Sequence, residues 1–264
     1  MDNMFARLKK FGLSDVAQGR SDIFEPEIQE NSESHIFNKE KSAPFNIENY
    51  VYAKRFNCPV CEANFTANVV KESRLRVQTV EFDLHPVCQY INPNFYDVIV
   101  CSKCGYGAVK NYFYNITERQ ASLILKDIAP NYIAQDYPAE LDIDMAIERY
   151  ELALLCSLVK NARDGEKAYI CLKLMWFHKL KGDEENQKRL AKLTLQGFTS
   201  ALAKEDLPIM GLQGDTITYL LGALYKILED KASALKYLSN VVVSRTASDR
   251  LKDKARDLKD TMKD

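Results

Sequence analysis

Two short thiol pairs, Cys58-Pro59-Val60-Cys61 and Cys101-Ser102-Lys103-Cys104, are the residues of this chain whose types and spacing point most directly to chemistry. Two residues between paired cysteines let the backbone turn so that both sulfurs face one ion. Four thiolates at this spacing suit tetrahedral zinc, with iron as the alternative occupant. A closed four-sulfur shell leaves no position for water or substrate, so the pattern predicts a structural metal and assigns no catalytic residue. The 39 residues between Cys61 and Cys101 exceed a short finger and predict a small sheet between the pairs. Gly105, after the second pair, can take a left-handed backbone, whereas Glu62 stands at the equivalent place after the first.

Other reactive side chains carry weaker patterns. His85-Pro86-Val87-Cys88 has the look of a further ligand pair or a nucleophilic dyad, but no additional ligand, orienting group or oxyanion donor accompanies it, and packing is the default. Cys156 and Cys171 fall on apolar helix faces, where cysteine behaves as a small hydrophobe. His178, beside Trp176 and Phe177, reads as a packed helix residue before a ligand-groove residue. No P-loop, dinucleotide fingerprint, HExxH or nucleophile elbow occurs.

Composition excludes some classes. With 36 Lys and Arg against 37 Asp and Glu, the formal charge is −1, and no bulk attraction to nucleic acid or anionic lipid follows. Lys71, Arg74 and Arg76 form a local basic cluster among aromatics. Yet Tyr50 to Ile116 holds seven basic and five acidic side chains, and zinc with four thiolates adds two negative charges, leaving that stretch neutral. Seven cysteines, four of them in metal-like pairs, fit a reducing cytoplasmic compartment better than a disulfide framework. No run approaches the roughly 20 apolar residues of a membrane span, and the N-terminus lacks a signal-like apolar core.

The elements that must position the thiols divide the chain into three. Residues 1–49 read as a mostly disordered acidic tail that opens with a short amphipathic segment, in which Met4, Phe5, Leu8 and Phe11 are either a docking face for a partner or a back-packed terminus. Residues 50–116 read as an aromatic, metal-binding β domain. Its strands are expected at Phe65 to Val70 and Leu75 to Phe82, paired as a hairpin, and at Phe95 to Val100, which delivers Cys101. Residues 117–264 read as all-helical. Thr117 begins a capping box, Asp142 or Asp144 caps the next helix, Gly182 separates two long helices, and Asp215 caps a helix after the loop at 205–214. Gly222, Tyr225, Ala234 and Leu238 follow the small-large pattern of one tetratricopeptide repeat. The fold class is therefore α+β, a zinc-stabilised ribbon-like module followed by tetratricopeptide-like helices.

Cys58-x-x-Cys61, Asp83, Pro86, the Asn92-Pro93-x-x-Tyr96 turn and Cys101-x-x-Cys104-Gly105-Tyr106-x-Ala108 with Phe113 together resemble the bacterial family catalogued as domain of unknown function 2225. Glu62 departs from the usual glycine, and Cys88 stands where an aromatic, commonly Tyr, is expected. The resemblance implies a zinc ribbon followed by tetratricopeptide-like helices and carries no biochemical activity with it. The expectation is a non-catalytic cytoplasmic adaptor holding a protein or peptide in its helical groove. A nucleic-acid-associated ribbon protein using Lys71, Arg74 and Arg76, and an enzyme with a site at the domain cleft, are the alternatives.

Overall fold

The computed structural model describes residues 5–17 and 46–262. It is α+β, and the chain forms two compact units that divide it elsewhere than at residue 117. Among the described residues, the first unit contains 5–17, 46–78 and 88–162, and the second contains 79–87 and 163–262.

In the first unit, β1 (Val51–Asn57) pairs antiparallel with β2 (Asn64–Val70), in register from Val51↔Val70 to Asn57↔Asn64. β2 thus takes its partner from upstream. The Cys58 to Ala63 turn closes that hairpin, while a 3-10 turn at Glu72–Arg74 leads the chain away from β2. The expected pairing of Phe65 to Val70 with Leu75 to Phe82 does not form. β3 (Val77–Val80) pairs instead with β4 (Pro86–Cys88). Asn92 accepts the Asn94 N–H and starts a 3-10 turn at Pro93–Tyr96, so β5 is only Val98–Val100, paired with β6 (Gly107–Val109).

Helices complete this unit. The Thr117 capping box opens α2 (Glu118–Asp127), whose label follows the short α1 (Ser14–Ala17) near the N-terminus. Asp142 caps α3 (Ile143–Val159) by accepting the Met145 N–H at 2.8 Å. α3 is buried on nearly every side and packs on β5 and β6. The buried Arg149 guanidinium donates to the Phe95 and Val98 carbonyls, and Tyr150 Oη donates to Asn94 O at 3.1 Å. These bonds satisfy carbonyls that the irregular 93–98 backbone leaves without ladder partners.

The N-terminal segment packs against its own chain. Phe5, Leu8, Phe11 and Leu13 are buried, Phe11 stacks on Tyr132 with centroids 6.0 Å apart, and Ile133 N–H donates to Phe11 O. Arg7 reaches Asp144 and Glu151 on α3, and Lys10 pairs with Glu148. The docking face expected of Phe5, Leu8 and Phe11 is therefore corrected to the back-packed alternative, because an apolar stripe already inside the core has no surface left for a partner. Met4 and residues 18–45, most of the acidic stretch, lie outside the described residues.

The second unit is built from α4 (Asp164–Lys181), α5 (Glu184–Lys204), α6 (Gly214–Ile227), α7 (Lys231–Val243) and α8 (Asp249–Asp260). Gly182, at φ 70°, ends α4 and turns the chain into α5, which Asp183 caps. A Cβ on Gly222 would stand 2.7 Å from Leu238 Cγ, so its absence is what lets α6 and α7 approach. Asp215 does not cap α6. It sits in the first turn, where its carboxylate accepts the Thr246 hydroxyl at 2.6 Å and Gln213 holds the cap position.

Residues 79–87 belong to this helical unit. Lys179 pairs with Glu81 at 2.7 Å and with the buried Asp83 at 2.5 Å, Tyr219 Oη donates to Phe82 O at 2.7 Å, and Lys254 donates to Val80 O at 3.0 Å. Three helices, α4, α6 and α8, thus hold an extended stretch by its carbonyls and carboxylates.

Burial pushes the Glu151 carboxyl up to about 8, the Arg7 pair opposing this incompletely. A carboxyl raised on folding gives stability that is complete below its ordinary pKa of 4.5 and is lost as pH climbs through its folded value. Thermal melting followed by circular dichroism should therefore show wild-type stability declining between about pH 4.5 and 8, and Glu151→Gln should flatten that decline. An identical pH slope in both proteins would sink this account.

Candidate metal centre

Each thiol pair is the turn of a hairpin. Cys58 to Cys61 links β1 to β2, and Cys101 to Cys104 links β5 to β6. The two turns are the same structure built twice. In the first, Cys58 N–H donates to Ala63 O at 3.0 Å, Glu62 N–H to Cys58 O at 2.9 Å, and Val60 N–H to Cys58 Sγ at 3.4 Å. In the second, Cys101 N–H donates to Tyr106 O at 2.9 Å, Gly105 N–H to Cys101 O at 3.0 Å, and Lys103 N–H to Cys101 Sγ at 3.4 Å. Both turns need a left-handed residue after the second cysteine, and Glu62 at φ 59° adopts it as Gly105 does at φ 72°.

The four sulfurs lie within 4.8 Å of one another. Cys58 Sγ is 3.7 Å from Cys104 Sγ, and Cys61 Sγ is 3.7 Å from Cys101 Sγ. A disulfide would need about 2.05 Å. A tetrahedron with metal–sulfur bonds of about 2.3 Å has edges of about 3.8 Å, which the two 3.7 Å separations match. The donor set and its spacing therefore fit zinc.

Electrostatics makes the same point. With four thiols this close, Cys104 and Cys58 donate to Cys101 and hold it far below the usual thiol range. The same bonds to Cys101 push Cys58 up to about 12 and Cys104 higher still. A divalent cation among the four would allow all to be thiolates together. Bound there, zinc supplies a cross-link between the two hairpins.

An aromatic cluster lies behind the cross-link. Phe56 and Phe65 face each other across β1 and β2 at 5.8 Å, both meet Phe113 at about 6 Å, and Tyr106 packs on Phe113 at 5.1 Å while its hydroxyl donates to Phe113 O. Cys156, on α3, is buried with its Sγ 3.5 Å from Gly105 O and 3.4 Å from Gly107 N. It braces the second turn from behind. Nothing in the sequence marks that role, since 49 residues separate Cys156 from Gly107.

The remaining sequence candidates disperse. His85 is buried against Trp176, with ring centroids 5.0 Å apart, its Nδ1 lies 2.8 Å from Glu81 Oε2, and its Nε2 has no hydrogen-bond partner among the described residues. Desolvation holds its pKa below the ordinary histidine range. Cys88 is half-buried, and burial raises its thiol. Among the described residues, Cys58, Cys61, Cys101 and Cys104 are the one group of three or more His, Cys, Asp or Glu side chains that converges on a metal position. Cys171 is fully buried, which pushes its thiol up to about 12. His178 Nδ1 lies 2.8 Å from Asp183, tying the end of α4 to the cap of α5.

Purified protein should contain one equivalent of zinc, and chelation or Cys101→Ser should abolish near-ultraviolet ellipticity from the aromatic cluster. A Cys101→Ser protein that stays fully ordered without metal would overturn the structural role. The two left-handed positions should respond oppositely. A Cβ on Gly105 would stand 2.4 Å from the Tyr132 ring, so Gly105→Ala should cost about 2 kcal/mol or more, whereas Glu62→Gly should change stability by less than about 1 kcal/mol, as measured by urea denaturation.

No curated protein and no solved structure matches this chain. A family model described as an uncharacterised protein conserved in bacteria matches residues 51–262, a span that contains both cysteine turns, α2 to α8 and the 79–87 stretch but not the N-terminal segment. The chain belongs to this bacterial family, DUF2225.

Proposed function

We propose that this is a non-catalytic, zinc-containing cytoplasmic interaction protein whose helical unit, a short tetratricopeptide-like array, holds an extended segment of a protein or peptide partner. The observation that carries this reading is how α4, α6 and α8 hold residues 79–87. Tyr219 and Lys254 bond to main-chain carbonyls, and Lys179 spans two carboxylates. Main-chain contacts give affinity for any extended chain, and the lysine selects for acidic side chains. The close α6–α7 contact at Gly222 and Leu238 supports a repeat-like packing. The four-sulfur shell supports a structural role for the metal.

The partner would take the place that residues 79–87 hold on these helices, and is expected to be acidic and aromatic there, in the manner of Glu81-Phe82-Asp83. Immobilised, zinc-loaded full-length protein exposed to nuclease-treated native extract tests this, with retained proteins identified by mass spectrometry. A small reproducible set should be retained. Retention should fall several-fold for Lys179→Glu and persist for Lys188→Glu, which lies in an exposed pair with Glu229, both variants being checked for native circular dichroism. Retention indifferent to Lys179, or no retention above an empty matrix, would remove the groove from the account.

A further inference from the structure

We propose that a cleft of about 460 Å³ in the first unit, walled by Tyr50, Arg74, Arg76, Gln78, Gln89 and Tyr90, binds a nucleoside phosphate, presented by single-stranded nucleic acid or as a free nucleotide. This site is separate from the helical face discussed above, and its chemistry stands on its own residues.

The walls are fixed by the backbone. Gln89 N–H donates to Arg76 O at 3.0 Å, which brings the residues after β4 beside those before β3. Tyr90 thereby meets Tyr50, the rings 5.3 Å apart and tilted by 33°. Lys71 N–H donates to Tyr50 O at 2.7 Å and ties that residue to the end of β2. Tyr90 remains 51% exposed, so the aromatic pair offers a ring face to solvent.

Two cations share this cleft with no carboxylate in its lining. Arg76 Nη1 donates to the Ser73 and Leu75 carbonyls at 3.4 and 3.0 Å, which orients the guanidinium while its other nitrogens make no hydrogen bond among the described residues. Arg74 has no ion pair or side-chain hydrogen bond among them. The adjacent Glu72 is committed to Lys110 at 3.0 Å and does not neutralise either arginine. Charge balance over the whole chain does not remove this local field, since exposed charges farther away than about 10 Å are screened.

Three chemistries therefore converge. Guanidinium forks suit phosphate oxygens, tyrosine faces stack bases of any identity, and the two glutamine amides donate and accept toward a base edge. An acidic or phosphorylated peptide would use the arginines and leave the aromatic pair idle. The volume is within the range of sites for small ligands.

Fluorescence anisotropy of a short labelled oligothymidylate with zinc-loaded full-length protein tests the proposal, with free thymidine monophosphate as competitor and a phosphorylated acidic peptide as a parallel probe. Tyr90→Ala should weaken strand binding about tenfold or more, and Arg74→Ala should weaken it and lower the salt slope by about 0.7. Lys188→Ala should leave binding unchanged, and all three variants should keep wild-type melting and zinc content. Competition by the mononucleotide at concentrations near those of the strand would identify a free nucleotide as the ligand, and its failure to compete would identify a strand; either supports the site. No binding of either nucleotide probe up to about 1 mM would overturn the proposal. So would binding that survives Tyr90→Ala, or a phosphopeptide that binds as tightly as the strand.

Discussion

The structure of the first unit depends on keeping four sulfurs at the corners of one tetrahedron. β1 with β2 is a two-stranded hairpin, and so is β5 with β6. An isolated hairpin of this kind is marginal in water, because it exposes one face of each strand and closes few hydrogen bonds. The two cysteine turns can convert this weakness into a cross-link: the sulfurs come from the turn of each hairpin, so one ion bound there would fix two separate chain reversals. Zinc binding in such modules is worth on the order of 10 kcal/mol, comparable with the entire stability of a small domain. The aromatic cluster of Phe56, Phe65, Tyr106 and Phe113 packs behind the two turns and joins the hairpins a second time.

The helices answer the needs of irregular backbone more than they form a separate layer. β5 has three residues and follows a 3-10 turn, and α3 satisfies the Phe95 and Val98 carbonyls through Arg149 and adds a Tyr150 hydroxyl to the Asn94 carbonyl. In the second unit, Val80 and Phe82 carbonyls receive Lys254 and Tyr219 in the same way. Burying a guanidinium or an ammonium beside backbone carbonyls is tolerable only where every such bond is made. That requirement explains why stretches with little strand structure of their own are nevertheless placed firmly.

Local signals in the sequence were legible and distant pairings were not. The Thr117 box forms as read, and of Asp142 and Asp144 it is Asp142 that caps α3; both bonds reach a residue three positions away. The thiol pairs were legible for the same reason, since each turn is encoded within six residues. The pairing of Phe65 to Val70 with a later strand failed because a strand's own pattern does not name its partner; the Cys58 turn does, by closing β1 on β2. Phe5, Leu8 and Phe11 carried an apolar face, yet periodicity cannot say whose core such a face enters, and here it is this chain's own. Asp83 and His85 looked like part of the metal module, whereas both are buried in the helical unit. Asp215 lost the cap position because its carboxylate found Thr246 across the α7–α8 turn.

The β1–β2 hairpin also relates the metal to the aromatic cleft. Its Asn57↔Asn64 end adjoins the Cys58 turn, and its Val51↔Val70 end adjoins Tyr50 and Lys71. Seven residues of strand at about 3.3 Å each place these ends roughly 20 Å apart. No ionisable group needs to connect them, because a paired ribbon held at its turn transmits position through its ladder. Twisting or fraying is restrained at the far end only while the turn is fixed and Phe56 and Phe65 are packed. A metal held at that turn would act on the Tyr50 wall through mechanics, its electrostatic influence at that distance being screened to little. A structural ion can in this way govern a surface it never touches.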